Sequence, residues 1–196
     1  CLVLPEPIPD VLAIAIDVAK RLDDAEVPYV IGGSLASSVH GEPRATMDVD
    51  VVADLPLEAI ARLVAGLHPE YYVDEEAARG AVQSRGAFNA VHMHSGVKVD
   101  FFIAGSDPFE RERLRTRIAV LVTVDPPRSL WFDTAEHTLL RKLEWYRRGG
   151  EVSERQWRDV LAIVALQGAT LDRLELDRWA TTLGVSDLLK RSMDND

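Results

Sequence analysis

The sequence predicts an α+β fold, in which a small mixed sheet flanked by helices is followed by a helical C-terminal region. Through the first 126 residues, short β-branched runs alternate with stretches of helical hydrophobic spacing, whereas only helical spacing follows Pro126-Pro127. A chain of 196 residues is long enough for one domain with a core plus a helical appendage. We therefore expect a core over residues 1–126 and a helical region over residues 127–196 packed against it.

The composition is that of an ordinary soluble globular protein, with 47% hydrophobic and 28% charged residues. A formal net charge of −10 argues against a protein that coats nucleic acid with its whole surface. The single cysteine, Cys1, excludes an internal disulfide, and no apolar run reaches the roughly 20 residues that span a bilayer. The proline-rich start, CLVLPEPIPD, lacks the basic flank of a signal peptide. We therefore expect a cytoplasmic protein with no membrane partner.

Helices and strands alternate from the start of the chain. A capping aspartate, Asp10, and apolar residues at helical spacing predict a helix over Asp10–Glu26. The apolar run Tyr29–Ile31 predicts a strand that ends in two glycines, after which Ser34 is expected to cap a short helix. Alternation over Met47–Val52 predicts a second strand, with its valines on one face and its aspartates on the other.

The same patterns continue as far as the two prolines. The β-branched run Ile118–Val124 predicts a buried strand. The other predicted elements are a helix from Pro56, a strand over Tyr71–Val73, a helix over Asp74–Arg85, hairpin strands over Ala87–His94 and Val97–Ile103 around Ser95-Gly96, and a helix from Asp107-Pro108.

Helices make up the predicted C-terminal region. Asp133 and Glu136 form a capping-box-like start for a helix that Gly149-Gly150 ends. The remaining predicted elements are a helix over Ser153–Gln167, two short helices around Trp179 and Leu188, and a frayed acidic end over Met193–Asp196.

The turn Gly32-Gly33-Ser34 is a candidate phosphate-binding segment. Two glycines after a strand allow close backbone approach to a ligand, and the helix that follows offers free N–H groups and the positive end of its dipole. The alternative interpretation is an ordinary strand-to-helix turn.

Three aspartates are candidate metal ligands. Strand periodicity places Asp48 and Asp50 on one face, where a divalent cation such as Mg²⁺ or Mn²⁺ would relieve their repulsion. Asp100 lies in an otherwise apolar strand and needs a partner or a metal. The alternatives are a solvated strand face for the pair and an edge-strand salt bridge for Asp100. Three acids on two strands, downstream of a glycine turn, together favour a functional site.

This combination resembles the polymerase-β-like nucleotidyltransferase superfamily, whose pattern is a Gly-Ser turn, a pair of aspartates and a third acid on a neighbouring strand. Within it, the chain is similar to the small bacterial nucleotidyltransferases related to the abortive-infection toxins of toxin–antitoxin systems. The segments that carry this second resemblance are Gly41-x-x-Arg44-x-Thr46-x-Asp48-x-Asp50, Leu139-Leu140-x-Lys142-Leu143-x-Trp145-Tyr146-Arg147 and Arg155 to Val164.

The resemblance implies the polymerase-β-like nucleotidyltransferase fold and transfer of a nucleoside monophosphate from an NTP, such as ATP. Asp48 and Asp50 would hold two Mg²⁺ (or Mn²⁺) ions, and Asp100 would complete the second site and accept the proton of the attacking hydroxyl. Gly32, Gly33 and Ser34 would contact the β- and γ-phosphates.

Arg44 and Lys142 are the two basic residues within these motifs. Arg44 precedes the metal strand and could meet phosphate oxygens, although a surface loop arginine is the alternative. Lys142 lies beside an apolar helix face and could bury its stem while reaching into a cleft; the alternative is a snorkelling surface lysine. The family resemblance favours a nucleotide-binding role for both.

Two histidines look like a metal pair but are predicted to lie elsewhere. With a two-residue Ser95-Gly96 turn, His92 faces Val99, so that His92 and His94 lie on the face away from Asp100, unless the turn is one residue longer.

Arginines and tryptophans offer a further, weaker signal. The three tryptophans Trp145, Trp157 and Trp179 are expected in the core rather than as stacking platforms. A solvated helix face is a commoner explanation than an RNA-binding patch for the arginines Arg111, Arg113, Arg115, Arg117, Arg128, Arg141, Arg147 and Arg148.

The sequence therefore predicts an Mg²⁺-dependent nucleotidyltransferase whose acceptor is RNA such as tRNA, or a protein hydroxyl. The resemblance further implies a toxin of a toxin–antitoxin pair, which a partner protein would silence. One alternative is a catalytically silent nucleotide- or partner-binding module of the same fold. Another is an enzyme that modifies a small molecule such as an aminoglycoside antibiotic.

Overall fold

The computed structural model describes residues 10–194, so the predictions on the proline-rich start, on Cys1 and on the last two residues lie outside them. Helices within that range are α1 (Val11–Asp24), α2 (Gly33–His40), α3 (Ile60–Leu67), α4 (Glu75–Ser84), α5 (Pro108–Thr116), α6 (Ala135–Arg148), α7 (Glu154–Gln167), α8 (Arg173–Leu183) and α9 (Ser186–Met193). Strands are β1 (Tyr29–Ile31), β2 (Asp48–Ala53), β3 (Tyr71–Val73), β4 (Ala87–His92), β5 (Lys98–Ile103), β6 (Ile118–Val124) and β7 (Pro127–Phe132).

Side-chain caps decide where several helices begin. Asp10 accepts a hydrogen bond from the Ala13 N–H, so this predicted cap is confirmed. Ser153, which was predicted only as the first residue of its helix, accepts a hydrogen bond from the Gln156 N–H and caps α7. Two other predicted caps are wrong. Gly32, not Ser34, precedes α2, and the N-terminal cap of α6 is Thr134, whose hydroxyl accepts from the backbone N–H of residue 137.

The first compact unit comprises residues 10–29, 46–105 and 120–130. Its strands run in the order β3-β4-β5-β2; β2 is parallel to β5, whereas β4 is antiparallel to both β5 and β3. Val49, Val51, Val99 and Phe101 are at most 1% exposed. Because side chains alternate along a strand, the residues between them lie together on the other face of β2 and β5.

The second compact unit comprises residues 30–45, 106–119 and 131–194. Within it, β1 pairs in parallel with β7 through Ile31 and Phe132. Helix α6 packs against α2, α7 and α8. The core of this unit is an apolar cluster that includes Phe109, Leu139, Leu143, Val160, Ile163, Leu176 and Trp179.

Strands β6 and β7 differ from the sequence prediction. Residues 127–132 form a strand, although Pro126-Pro127 was predicted to open a purely helical region. Strand β6 was predicted to be buried, but Leu121 is 58% and Val124 81% exposed. The physical reason is its place at the end of the strand order, where β7 is its one neighbour among the described strands.

The described residues contain no helix that is both long and apolar enough to cross a membrane. The predicted division at residues 1–126 and 127–196 stays a prediction, because the two compact units each combine separate stretches of the chain.

Candidate active site

The three predicted aspartates of the first unit lie on one face of two neighbouring strands. The parallel register sets Asp48 opposite Lys98 and Asp50 opposite Asp100. Alternate residues of a strand share a face, so these four side chains occupy adjacent positions. Asp48 is exposed, whereas Asp50 and Asp100 are partly buried. The structure thus brings the predicted acids together and adds a lysine that the sequence reasoning did not single out.

Lys98 forms an ion pair with the third aspartate. Its Nζ lies 2.7 Å from Oδ1 of Asp100, and its side chain is 43% exposed. The hydrogen bond to Asp100 raises the pKa of Lys98 above its ordinary value, and the charges of Asp48 and Asp50 act in the same direction. The signal in the sequence was the spacing Lys-x-Asp within a strand, which places both side chains on one face.

The donor set of these acids suits a hard divalent cation. Carboxylate oxygens are the ligands that Mg²⁺ and Mn²⁺ take, and the register places the acids on neighbouring strands. As the side chains are oriented in residues 10–194, no three carboxylate, imidazole or thiolate groups converge into a metal-binding cluster. Asp100 instead points to the Lys98 ammonium. The residues fit a cation by chemistry and position, with a side-chain rotation of Asp100 required.

Residues of β4 and β5 pair in a different register from the predicted one. Val99 lies opposite Ala90, not His92, because the connection is longer than a two-residue turn. The displacement is two residues, so the face is unchanged, and His92 still lies on the side away from Asp100. Its ring contacts that of the buried Tyr71, with centroids 5.1 Å apart. His94 lies beyond the end of β4.

The observed register places another polar residue directly opposite Asp100. Asn89 lies opposite Asp100 on β4, so its amide shares the face that carries the aspartates. Asn89 is exposed. The sequence reasoning did not single out this residue, although strand alternation places it on the face of Asp100 in the predicted register as well.

The predicted phosphate-binding turn lies in the second unit, and both glycines have a structural reason. Gly33 begins α2 with φ +58°, a left-handed conformation that favours glycine. A Cβ on Gly32 would lie 3.0 Å from Nη2 of Arg113 and 3.1 Å from Oδ2 of Asp133. Those two side chains form a buried ion pair. The turn is therefore packed closely against Arg113 of α5 and against Asp133, which follows β7, whatever it binds.

Ser34, Arg44 and Lys142 meet around a buried carboxylate, that of Asp159. Nζ of Lys142 lies 2.7 Å from Asp159 Oδ2, and the Arg44 guanidinium donates to both carboxylate oxygens, at 3.1 and 3.2 Å. Nη2 of Arg44 also donates to Ser34 Oγ at 2.6 Å. Three of the residues predicted to bind nucleotide are thus joined in one hydrogen-bonded network.

Asp159 was missed by the sequence reasoning. Burial alone would raise its pKa, but the hydrogen bonds from Lys142 and Arg44 outweigh burial and hold the pKa below its ordinary value. The sequence does carry a signal: Asp159 lies four residues before Ile163 on α7, so a carboxylate sits on the helix face that is otherwise apolar. Lys142, predicted to reach into a cleft, is only 6% exposed.

Most of the arginines considered as an RNA patch have acidic partners. Arg113 is 3% exposed and bonded to Asp133, which explains why Asp133 does not cap α6. Ion pairs also join Arg115 to Glu112, Arg141 to Glu110 and Glu144, Arg147 to Glu151 and Asp187, and Arg148 to Glu144.

The three tryptophans do not behave alike. Trp179 is 4% exposed, as predicted for a core residue, and Trp157 packs partly buried against the same cluster. The prediction is wrong for Trp145, which is 47% exposed. Its ring instead lies under the guanidinium of Arg148, on the outer side of α6.

No protein-family model and no curated protein matches the chain. Solved structures do match. An antigenic nucleotidyltransferase-like protein from Paracoccidioides brasiliensis aligns with TM-score 0.58 and 17% identity over 92% of this chain and 91% of that one. The antibiotic-resistance factor ANT(2'')-Ia aligns with TM-score 0.51 and 14% identity over 93% and 98%. Its complex with adenylyl-2''-tobramycin gives 0.52 and 13% over 88% and 95%.

These similarities establish the fold alone, because sequence identities this low do not indicate a shared substrate or shared roles of individual residues. The first of these structures is described as nucleotidyltransferase-like, and the other two are structures of ANT(2'')-Ia, one of them with an adenylylated tobramycin. Their alignments extend over most of each chain. The chain therefore has the α+β fold of the nucleotidyltransferases, as its sequence pattern predicted.

Proposed function

We propose that this protein is a metal-dependent nucleotidyltransferase, which moves a nucleoside monophosphate from an NTP to an acceptor hydroxyl. One observation carries the proposal: in a chain with the nucleotidyltransferase fold, Asp50 lies opposite Asp100, with Asp48 two residues away on the same face. Three carboxylates gathered on one strand face destabilise one another unless a cation is bound. A purely structural role gives no reason for such a grouping.

In the first unit, Asp48, Asp50 and Asp100 are the residues that would hold Mg²⁺ or Mn²⁺, two ions in the proposed form of the site. A bound divalent ion neutralises triphosphate charge and lowers the pKa of the attacking hydroxyl. Asp100 is the proposed acceptor of that hydroxyl's proton. The acceptor oxygen forms a bond to the α-phosphorus, the bond from the α-phosphorus to the bridging oxygen breaks, and pyrophosphate leaves with that oxygen.

In the second unit, Gly32, Gly33, Ser34, Arg44 and Lys142 are the proposed nucleotide-binding residues. The N-terminal N–H groups of α2 are suited to phosphate oxygens because they lack partners within the helix. Asp159 holds the Arg44 and Lys142 side chains in fixed positions. Arg44 is 25% exposed and Lys142 is buried, so Arg44 is the better placed of the two to contact a phosphate directly.

Two classes of molecule are candidates for the acceptor of the nucleotide. The sequence resemblance favours RNA such as tRNA, or a protein, and a toxin role with an antitoxin partner. The complex of ANT(2'')-Ia with adenylyl-2''-tobramycin favours a small-molecule acceptor as the second candidate. The acidic surface implied by a net charge of −10 suits a cationic drug.

The test is incubation with each α-labelled NTP and Mg²⁺ in three reactions, containing total bacterial RNA, lysate protein or an aminoglycoside. The negative control is the double variant Asp48→Ala, Asp50→Ala. The matched control is Asp54→Asn, which removes an exposed acid directly after the same strand. Label that reaches one acceptor class with the wild type and with Asp54→Asn, but not with the double variant, identifies both nucleotide and acceptor.

Two other results would change the proposal. NTP binding without transfer to any of the three acceptor classes would replace it with a catalytically silent binding module. Transfer by the double variant would show that the activity does not require Asp48 and Asp50. The toxin role has its own measurement: induced expression arrests growth with the wild type and not with the double variant.

A further inference from the structure

One lysine lies among the three aspartates of the acidic face. In the parallel register Lys98 is opposite Asp48, and Asp50 is opposite Asp100, so the four side chains form a two-by-two arrangement on β2 and β5. Neighbouring strands are about 4.8 Å apart and alternate residues about 6.6 Å apart. Lys98 therefore lies within one side-chain length of each of the three carboxylates, and nothing in the proposed reaction uses it.

The lysine is directed toward one of these acids. Its Nζ lies 2.7 Å from Oδ1 of Asp100, and the charges of Asp48 and Asp50 also attract it. Asp100 is 22% exposed in its side chain, so the contact is partly shielded from water. The ammonium thus occupies a carboxylate oxygen that the proposed metal site would use.

We propose that Lys98 is an internal counter-ion, which holds Asp100 in the metal-free protein and is displaced when a divalent cation binds. The inference rests on the proposed function, since it concerns the same three aspartates. Lys98 is a positioning residue: it acts through Asp100 and sets both the orientation of that carboxylate and the metal affinity of the site.

The charges of these four side chains predict whether replacement of Lys98 raises or lowers the affinity for a divalent cation. The three carboxylates and one ammonium carry a formal charge of −2 together, which is equal and opposite to that of one divalent cation. Replacement of Lys98 by an uncharged residue leaves three negative charges and removes the competitor for Asp100. The variant should therefore bind a divalent cation more tightly, whereas an ordinary surface ion pair would leave cation affinity unchanged.

The experiment measures Mn²⁺ binding to the full chain without nucleotide, from the electron paramagnetic resonance signal of free Mn²⁺. The proteins are wild type, Lys98→Met, Lys98→Arg and Asp48→Asn. We expect Lys98→Met to bind Mn²⁺ on the order of tenfold more tightly than the wild type, because a neighbouring positive charge is lost. Lys98→Arg, which keeps the charge, should bind like the wild type, and Asp48→Asn more weakly.

A thermal measurement supplies a second readout. Without metal, Lys98→Met should melt below the wild type, because its carboxylates repel without a counter-ion; added Mn²⁺ should raise its Tm more than that of the wild type. Both side chains of the pair are partly exposed, so the variant is expected to fold.

The outcomes separate this inference from the proposed function. Equal or weaker Mn²⁺ binding by Lys98→Met, with aspartate-dependent binding in the wild type, overturns the role of Lys98 alone. Binding by Lys98→Met but not by the wild type supports it, since the lysine then excludes the ion. No binding by either protein would overturn both this inference and the proposed metal site.

Discussion

The two charged clusters of this protein are built in opposite ways. Around Asp159, one carboxylate is surrounded by two cations, Lys142 and Arg44, and the group is mostly buried and saturated with hydrogen bonds. On the face of β2 and β5, three carboxylates share one lysine, Lys98, and the group is open to solvent. The first cluster has one positive charge in excess and its carboxylate is fully hydrogen-bonded, whereas the second cluster has an excess of negative charge.

The difference teaches how to separate a charge network that holds structure from one that is prepared for a ligand. The groups of a buried network must be hydrogen-bonded to one another, because a buried group without a partner has lost its hydrogen bonds to water and the fold is destabilised. An exposed network with unbalanced charge is tolerated by the fold and is neutralised on binding. Loss of the carboxylate of the first cluster should therefore reduce stability, and loss of a carboxylate of the second should reduce activity.

The largest effect is expected for Asp48→Asn. Loss of one proposed metal ligand should lower nucleotidyl transfer by at least about 10²-fold, because charge stabilisation in the transition state is lost. The free energy of unfolding should stay unchanged or rise slightly, since one of three like charges is removed. Initial rates and urea unfolding measure the two effects. A variant that loses stability along with activity would contradict the contrast between the clusters.

Asp159→Asn is expected to have the next largest effect, on stability. It leaves the buried Lys142 without its charged partner, and loss of one member of a buried pair costs about 3 kcal/mol in the free energy of unfolding. The matched control is Asp187→Asn, which breaks an exposed ion pair with Arg147 and should change the stability little. Equal losses in urea unfolding would show that burial does not distinguish the two pairs.

Gly32→Ala tests whether the proposed phosphate turn is also held by close packing against the buried ion pair of Arg113 and Asp133. The new Cβ would lie 3.0 Å from Arg113 and 3.1 Å from Asp133, which are both buried and bonded to each other. We expect a loss of about 2 kcal/mol from overpacking. Gly80→Ala, on α4 with open space around its Cβ, should instead be neutral or stabilising. Thermal unfolding of both variants measures the contrast.

The smallest expected effect is a pH dependence. The pKa of Asp159 in the folded protein lies below its ordinary value of 3.8, so its ionised form adds stability that is complete above that pH. That contribution is lost as the pH falls through the folded pKa. The difference in unfolding free energy between wild type and Asp159→Asn should therefore be smaller at about pH 3 than at about pH 7. If this difference in unfolding free energy did not change with pH, the ionised carboxylate of Asp159 would not be its cause.

Local sequence signals predicted much of the fold. Asp10 was identified as a cap because capping depends on residues within one turn. Strand alternation placed Asp48 and Asp50 on one face of β2, as the strand has them. These features need no knowledge of distant parts of the chain.

Other features depended on contacts that the sequence does not display. Asp133 looked like a helix cap, but its partner Arg113 lies 20 residues earlier. Asp159 bonds to Arg44 across 115 residues of chain. Strand β7 was missed because Pro126-Pro127 indicates a linker, although proline is tolerated at the first position of a strand.

Strand β6 is expected to affect the self-association of the protein in solution. Leu121 and Val124 are exposed on a strand of seven residues that contains no charge, and such a strand can pair with another chain. At neutral pH the net charge of −10 keeps molecules apart. The isoelectric point is near 5.0, so mild acid removes that repulsion and leaves the strand unprotected. Purification and storage well above pH 5 should keep the protein monodisperse.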